Sequence, residues 1–166
     1  GQGAPLVPVG DELLFPQYHY CLNLGGYSNI SYNQSGTRRA FDICPVNKAI
    51  HALTKEAGKI MDKDGKMAMA GSVNHELLEN LNKLEFYHTS PPKSLGDEWL
   101  HSQFLPILKR FGHLWINNRL RTVYEHIALQ ISESTKVTSG KTILVTGGGT
   151  YNQFLMHRIK EKNKTI

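Results

Sequence analysis

Two stretches of the sequence join an apolar run directly to glycines. The first reads Leu22-Asn23-Leu24-Gly25-Gly26-Tyr27-Ser28-Asn29-Ile30-Ser31. Adjacent glycines between strands fold the backbone tightly, and with no Cβ in the way an anion can approach their amides closely. Asn23, Ser28 and Asn29 add neutral donors beside Gly25 and Gly26. An ordinary hairpin with polar decoration is the other reading of this stretch taken alone. The second reads Ile143-Leu144-Val145-Thr146-Gly147-Gly148-Gly149-Thr150-Tyr151-Asn152. Here a strand enters three glycines and then a helix N-terminus, where free amides and the helix dipole receive a phosphate or a nucleotide. A plain strand-to-helix turn needs fewer glycines, so Gly147, Gly148 and Gly149 suggest a ligand plane pressed against backbone.

Other patterns carry less. Ser139-Gly140-Lys141-Thr142 imitates the end of a phosphate-binding P-loop, but its first glycine would fall on Thr135 and the loop precedes its strand. Gly147-x-Gly149-x-x-Asn152 imitates a dinucleotide fingerprint without the third glycine. The eight histidines are scattered, with no helical His-x-x-x-His pair and no Cys-x-x-Cys, so no metal pattern is apparent. Asp42, beside Cys44 and Pro45, could orient a magnesium-bound water or cap the next helix. Lys93 could meet a phosphate or stand in solvent.

The elements that must position these residues begin with a β-meander. Extended stretches at Tyr20–Leu24, Asn29–Tyr32 and Arg38–Ile43 are separated by Gly25-Gly26 and by Asn33-Gln34-Ser35-Gly36. Gly and Pro forbid a long helix in the first 19 residues. From Asn47 the pattern turns helical, with Ile50, Leu53, Ala57 and Ile60 on one face. Asp62 to Gly65 reads as a turn, and Asn74 as the cap of a helix carrying Leu77, Leu78, Leu81 and Leu84. Ser90 to Ser94 is a stiff loop. Asp97 and Glu98 open a helix that Pro106 interrupts. Leu120, Val123, Ile127 and Ile131 form the core stripe of a long helix starting near Asn117. A strand at Thr142–Thr146, the glycines and a helix from about Asn152 complete a mixed α/β domain.

The chain has 166 residues, 40% hydrophobic and 20% charged, which suits one globular domain and excludes a disordered or fibrous chain. Apolar runs are far short of the roughly 20 residues of a membrane helix. No basic start leads into an apolar segment at the N-terminus, so no secretion signal is expected. The first residue is Gly1 and not Met, which fits a processed piece. The net charge of +5 gathers partly at Arg158, Lys160, Lys162 and Lys164, and reads as a solvated helix face without the aromatics of a nucleic-acid footprint. Cys21 and Cys44 are expected as buried free thiols, and the sequons at Asn29, Asn33 and Asn163 as chance.

Five segments occur in an order that has a counterpart. They are Gly1-Gln2-Gly3-Ala4-Pro5-Leu6-Val7-Pro8, Leu22 to Ser31, Phe41-Asp42 through Pro45 and Asn47, Pro91-Pro92-Lys93-Ser94-x-Gly96-x-Glu98, and Val145 to Gly149 with Asn152, Leu155 and Met156. Together they resemble the anhydro-N-acetylmuramic acid kinase family over essentially the whole chain. The resemblance implies an α/β fold, one lobe of a ribonuclease H-like kinase of the actin, hexokinase and Hsp70 superfamily. It implies use of ATP, Mg2+ and water to open the 1,6-anhydro ring of a muramic acid sugar and phosphorylate its 6-oxygen, recycling cell-wall fragments in the cytoplasm. The Leu24-Gly25-Gly26 turn resembles the superfamily's second phosphate loop and Gly147-Gly148-Gly149 its adenosine loop, with Asn29 and Asn152 on matching motif asparagines. The implied nucleotide-binding set is Asn23, Gly25, Gly26, Asn29, Gly147, Gly148, Gly149 and Asn152.

The sequence departs from the family pattern at Ile43-Cys44 and Val46, where Thr-Gly and Gly are common, and at Asp97, where an arginine is usual. Asp97 is thus expected to remove a cation from the cleft. The family's first phosphate loop and its catalytic aspartate precede the Gly1-Gln2-Gly3 motif. Residues 1–166 are therefore expected to be a single domain, the core of the second lobe. The N-terminal lobe and the extreme C-terminal segment have no counterpart, and the piece alone is expected to be inactive. The expected partners are ATP and a small amino sugar, with neither nucleic acid nor membrane. Apolar surface left by the missing lobe would favour a homo-oligomer.

Overall fold

The structure, a computed structural model, describes residues 17–34, 36–135 and 142–162. The Gly1-Gln2-Gly3 motif, Gly140 with its P-loop look-alike, Asn163 and Lys164 lie outside these residues. Strands β1 (Tyr20–Leu24), β2 (Tyr27–Gln34) and β3 (Thr37–Pro45) form the meander, and β4 (Ile143–Thr146) returns to the sheet late. The order is β3-β2-β1-β4, with β1 and β4 parallel and the other pairs antiparallel. Leu22, Leu24, Ile30 and Cys44 are fully buried on the face that the helices cover. Where Ser28 pairs with Cys44 and Asn29 with Asp42, the register shifts and leaves Ile43 as the extra residue of a bulge.

The helices are α1 (Asn47–Glu56), α2 (Lys66–Met69), α3 (His75–Asn82), α4 (Asp97–Trp99), α5 (Leu105–Arg110), α6 (Ile116–Ser134) and α7 (Gln153–Lys162). Leu120, Val123, Ile127 and Ile131 of α6 are fully buried, as their spacing predicts, and α6 packs on β3, α1, α2, α3 and α7. Each such side chain stabilises the fold by roughly 1.5–3 kcal/mol relative to exposure. Asn74 caps α3, accepting from the Leu77 amide at 2.8 Å. Cys21 and Cys44 are both buried and in no disulfide, as expected.

Two expectations are corrected. The helix from Asn47 does not reach Ile60. It stops at Glu56 because Gly58 adopts φ 66°, with Gly58 N donating to Lys55 O and Lys59 N to Thr54 O, the hydrogen bonds of a Schellman cap. Nor does Pro106 interrupt the second helix. Residues Leu100–Phe104 form a π turn between α4 and α5, and Pro106 falls in the first turn of α5, where its missing N–H is tolerated.

The basic C-terminal face is not simply solvated. Arg158 and Lys162 of α7 both bind the buried carboxylate of Glu125 on α6, at 2.7 and 2.9 Å. Burial opposes the Glu125 charge, but the hydrogen bonds from Lys162 and Arg158 outweigh it and lower the pKa.

Candidate functional site

Parallel pairing of β1 with β4 sets Asn23 beside Thr146, so both strands leave the sheet at the same edge and both glycine turns lie there together. Asn23 sits between them. A Cβ on Gly25 would lie 3.2 Å from Asn23 Nδ2, and one on Gly147 would collide with Asn23 Oδ1 and lie 2.8 Å from the Leu24 carbonyl carbon. Gly147 also has φ 87°, which an L side chain rarely adopts. A Cβ on Gly149 would lie 2.7 Å from Leu24 Cβ. Gly148 alone has room, its nearest neighbour being Asn47 Nδ2 at 3.7 Å. The three glycines therefore do not form one ligand plane. Gly147 and Gly149 let the turn pack on β1, and Gly148 lines the adjoining cavity.

The first turn faces two ways. The Gly25 carbonyl accepts from Asn47 N at 3.2 Å, and the Gly26 carbonyl from Val46 N and Lys48 N at 2.9 and 3.3 Å. Asn47 Nδ2 donates to Leu24 O at 3.2 Å. These carbonyls take the first amides of α1, which has no side-chain cap. The amides of Gly25 and Gly26 donate to no protein acceptor among the described residues.

The cavity measures about 570 Å³ and runs from α1 (Asn47, Lys48, His51) across Ile60 and Met61 to Gly148, Tyr151 and Asn152. Ile60, Met61 and Tyr151 are 84%, 65% and 85% exposed, so large apolar side chains gather at its mouth. Such a cavity, apolar at the rim and bordered by backbone, is of a size for a small ligand with a flat ring. None of these three was singled out as a site residue from sequence. Their signal is local: Gly58 ends α1, and two apolar residues follow before the charged run Asp62-Lys63-Asp64.

The two motif asparagines behave differently. Asn152 caps α7, accepting from the Leu155 amide at 3.0 Å, while its Nδ2 donates to the Tyr124 hydroxyl at 2.7 Å. Both polar ends of its side chain are therefore engaged within the protein. Asn29 lies in a polar row across the other sheet face, Thr146, Asn23, Asn29 and Asp42, each directly opposite the next. Asp42 neither caps α1 nor belongs to a metal cluster. Its Oδ2 accepts from Leu95 N at 2.7 Å and its own amide donates to Lys93 O at 3.0 Å, so it ties the Pro91–Ser94 loop to β3. Burial raises the Asp42 pKa against the lowering effect of the Leu95 bond. Lys93 is held by the Phe86 carbonyl at 2.9 Å and lies over the Phe86 ring, and its pKa is lowered by burial. Among the described residues no group of three or more His, Cys, Asp or Glu could hold a metal ion.

Asp97 stands against a cation, Lys48. Its Oδ1 accepts from Tyr27 OH at 2.7 Å and forms an ion pair with Lys48, whose ammonium also lies over the Tyr27 ring. The hydrogen bonds from Lys48 and then Tyr27 lower the Asp97 pKa.

Comparison with solved structures supports the fold. The activator of the 2-hydroxyisocaproyl-CoA dehydratase from Clostridium difficile, with bound ADPNP, superposes with a TM-score of 0.55 at 11% identity, covering 94% of this chain and 55% of its own. Component A of the Acidaminococcus fermentans (R)-2-hydroxyglutaryl-CoA dehydratase gives 0.54 at 11% identity, with coverages of 95% and 57%. The mixed α/β fold is thus shared with these two dehydratase activators. Among curated proteins, the anhydro-N-acetylmuramic acid kinases of Pseudomonas savastanoi pv. phaseolicola and Vibrio parahaemolyticus are 36% and 37% identical over 97% of this chain, which is 46% of their own length. That of Sulfurimonas denitrificans is 31% identical over 98% of this chain and 47% of its own. The chain thus spans about half the length of the curated relatives it matches. The family model for these kinases matches residues 1–166 from end to end, and on that match the chain belongs to the anhydro-N-acetylmuramic acid kinase family.

Proposed function

We propose that the chain is the second lobe of an ATP-dependent kinase. The complete protein would open the 1,6-anhydro ring of N-acetylmuramic acid with water and place the γ-phosphoryl group of ATP on the sugar 6-oxygen, in cytoplasmic cell-wall recycling. The observation that carries this reading is the meeting of the two glycine turns at one sheet edge, beside a cavity lined by Gly148. In it, the Gly25 and Gly26 amides face the polyphosphate, Asn23 keeps the two turns in register, and Gly148 offers backbone to the nucleoside. Tyr151, Ile60 and Met61 hold the base. Asn29 continues the polar row towards the phosphates, and Asn152 sets the start of α7.

The chemistry needs more than this lobe. A carboxylate must take a proton from the attacking water, and the transferred phosphoryl group must be clamped from both sides. In this reading the catalytic carboxylate and the opposing phosphate loop come from the other lobe, whose closure would exclude water and align the reactants. Among the described residues no group of three or more His, Cys, Asp or Glu forms a cage for Mg2+, an ion that binds nucleotide phosphates with few protein ligands.

The test compares this chain with the complete protein, each given ATP and 1,6-anhydro-N-acetylmuramic acid, with N-acetylmuramic acid 6-phosphate followed by mass spectrometry. The complete protein should turn over at an ordinary kinase rate, on the order of 1–100 per second, and the chain alone should not. ATP binding without product from the complete protein would favour a non-catalytic nucleotide-binding module. Product from a different sugar would reassign the substrate.

A further inference from the structure

One cation of the cleft has no part in that account. Lys48 follows the first residue of α1, and its stem lies on the first glycine turn, with Cγ and Cε each 3.2 Å from where a Gly26 Cβ would stand. Its ammonium pairs with Asp97 Oδ1, and Lys48 also lines the cavity. We propose that Lys48 is a polyphosphate-binding residue held in reserve by Asp97, exchanging that carboxylate for a phosphate of the bound nucleotide. The proposal rests on the nucleotide reading of the cleft.

Three features suit such an exchange. The pair lies in water, with the Lys48 and Asp97 side chains 40% and 60% exposed. An exposed pair of this kind contributes little to stability. A terminal phosphate presents more charge and more acceptor oxygens than a carboxylate, so it competes well for the ammonium. Releasing Lys48 also orphans nothing, because the Tyr27 hydroxyl already donates to the same Asp97 oxygen at 2.7 Å. Finally, the stem runs along Gly26, so a short swing brings the ammonium over the turn whose amides face the phosphates.

The experiment is calorimetric titration of the complete protein with adenosine, ADP and ATP, for wild type, Lys48→Met, Asp97→Asn and their double variant. Methionine keeps an apolar stem on Gly26, and thermal unfolding checks the fold. For Lys48→Met the ADP and ATP dissociation constants should rise about tenfold, with adenosine changed less than about twofold. Asp97→Asn should tighten ATP about threefold, and this gain should vanish in the double variant. Unchanged ATP affinity in Lys48→Met, an equal loss for adenosine and ATP, or an Asp97→Asn gain that survives without Lys48 would each overturn the proposal. If wild type binds neither adenosine nor ATP, the nucleotide reading falls and takes this proposal with it. Adenosine and ATP binding in wild type, with no selective loss in Lys48→Met, sinks the role of Lys48 alone.

Discussion

Consecutive glycines at positions 147 to 149 have different jobs, and substitution separates them. Gly147→Ala puts an L side chain at φ 87° against Asn23 and Leu24, and is expected to lower stability by about 2–4 kcal/mol. Gly148→Ala meets no protein atom closer than 3.7 Å, so the unfolding midpoint should stay put. Its methyl group points into the cavity, and ATP affinity should fall about tenfold, roughly 1.4 kcal/mol. Denaturant unfolding beside calorimetric ATP titration reads both, and unaltered ATP affinity in Gly148→Ala would show that this glycine serves the turn alone. Tyr151 is 85% exposed and supports no core. Tyr151→Ala should therefore keep the fold and weaken ATP and adenosine alike, by about 1–3 kcal/mol, the scale of a stacked base. The glycine cluster is legible in the sequence as a ligand candidate. Its division of labour is not, because it depends on β4 lying beside β1, and no local pattern announces a partner so distant in the chain.

At the scale of elements, Asn152 decides between two roles. The family resemblance makes it a nucleotide contact, while the structure makes it the cap of α7. Asn152→Ala should cost about 1–2 kcal/mol of stability through the lost cap. Asn152→Asp keeps an acceptor for the Leu155 amide and should recover most of that loss, with ATP affinity near wild type in both. A large ATP defect in a stable Asn152→Asp would return the residue to the ligand. The meander, the α6 stripe and the Asn74 cap follow directly from alternation, spacing and capping chemistry in the sequence. The end of α1 does not, since the apolar spacing runs on through Ile60 while Gly58 turns the backbone left-handed and sends that residue to the cleft. The helix through Pro106 escapes sequence reading for a similar reason, because a π turn changes which amides need partners.

For the whole molecule, His126 ties stability to pH. It is fully buried, its ring hydrogen-bonded to Asn82 and Tyr87, and burial pushes its pKa down to about 3. The unfolded chain, with an ordinary histidine pKa near about 6.5, takes up a proton that the folded chain refuses. This contribution to stability is thus complete above the unfolded value. It is lost as pH falls below it, at up to ~1.4 kcal/mol per unit toward the folded value. Urea midpoints should drop between about pH 6.5 and pH 5, and His126→Gln, though less stable overall, should flatten that drop. An equal slope in both proteins would place the proton uptake elsewhere. The parallel pairing of β1 with β4 also bears on how the molecule comes into being. Tyr20 must find Ile143 across a loop of about three quarters of the chain, whereas the meander and its helices need only nearer partners. Long-range pairing is slow because the loop entropy is lost before the contacts form. The meander and α6 can therefore order early, on the ribosome or in refolding, with Gly25 and Gly26 in place but facing no partner. The cavity exists only once β4 docks, which makes the appearance of nucleotide binding a clock for the last step of assembly.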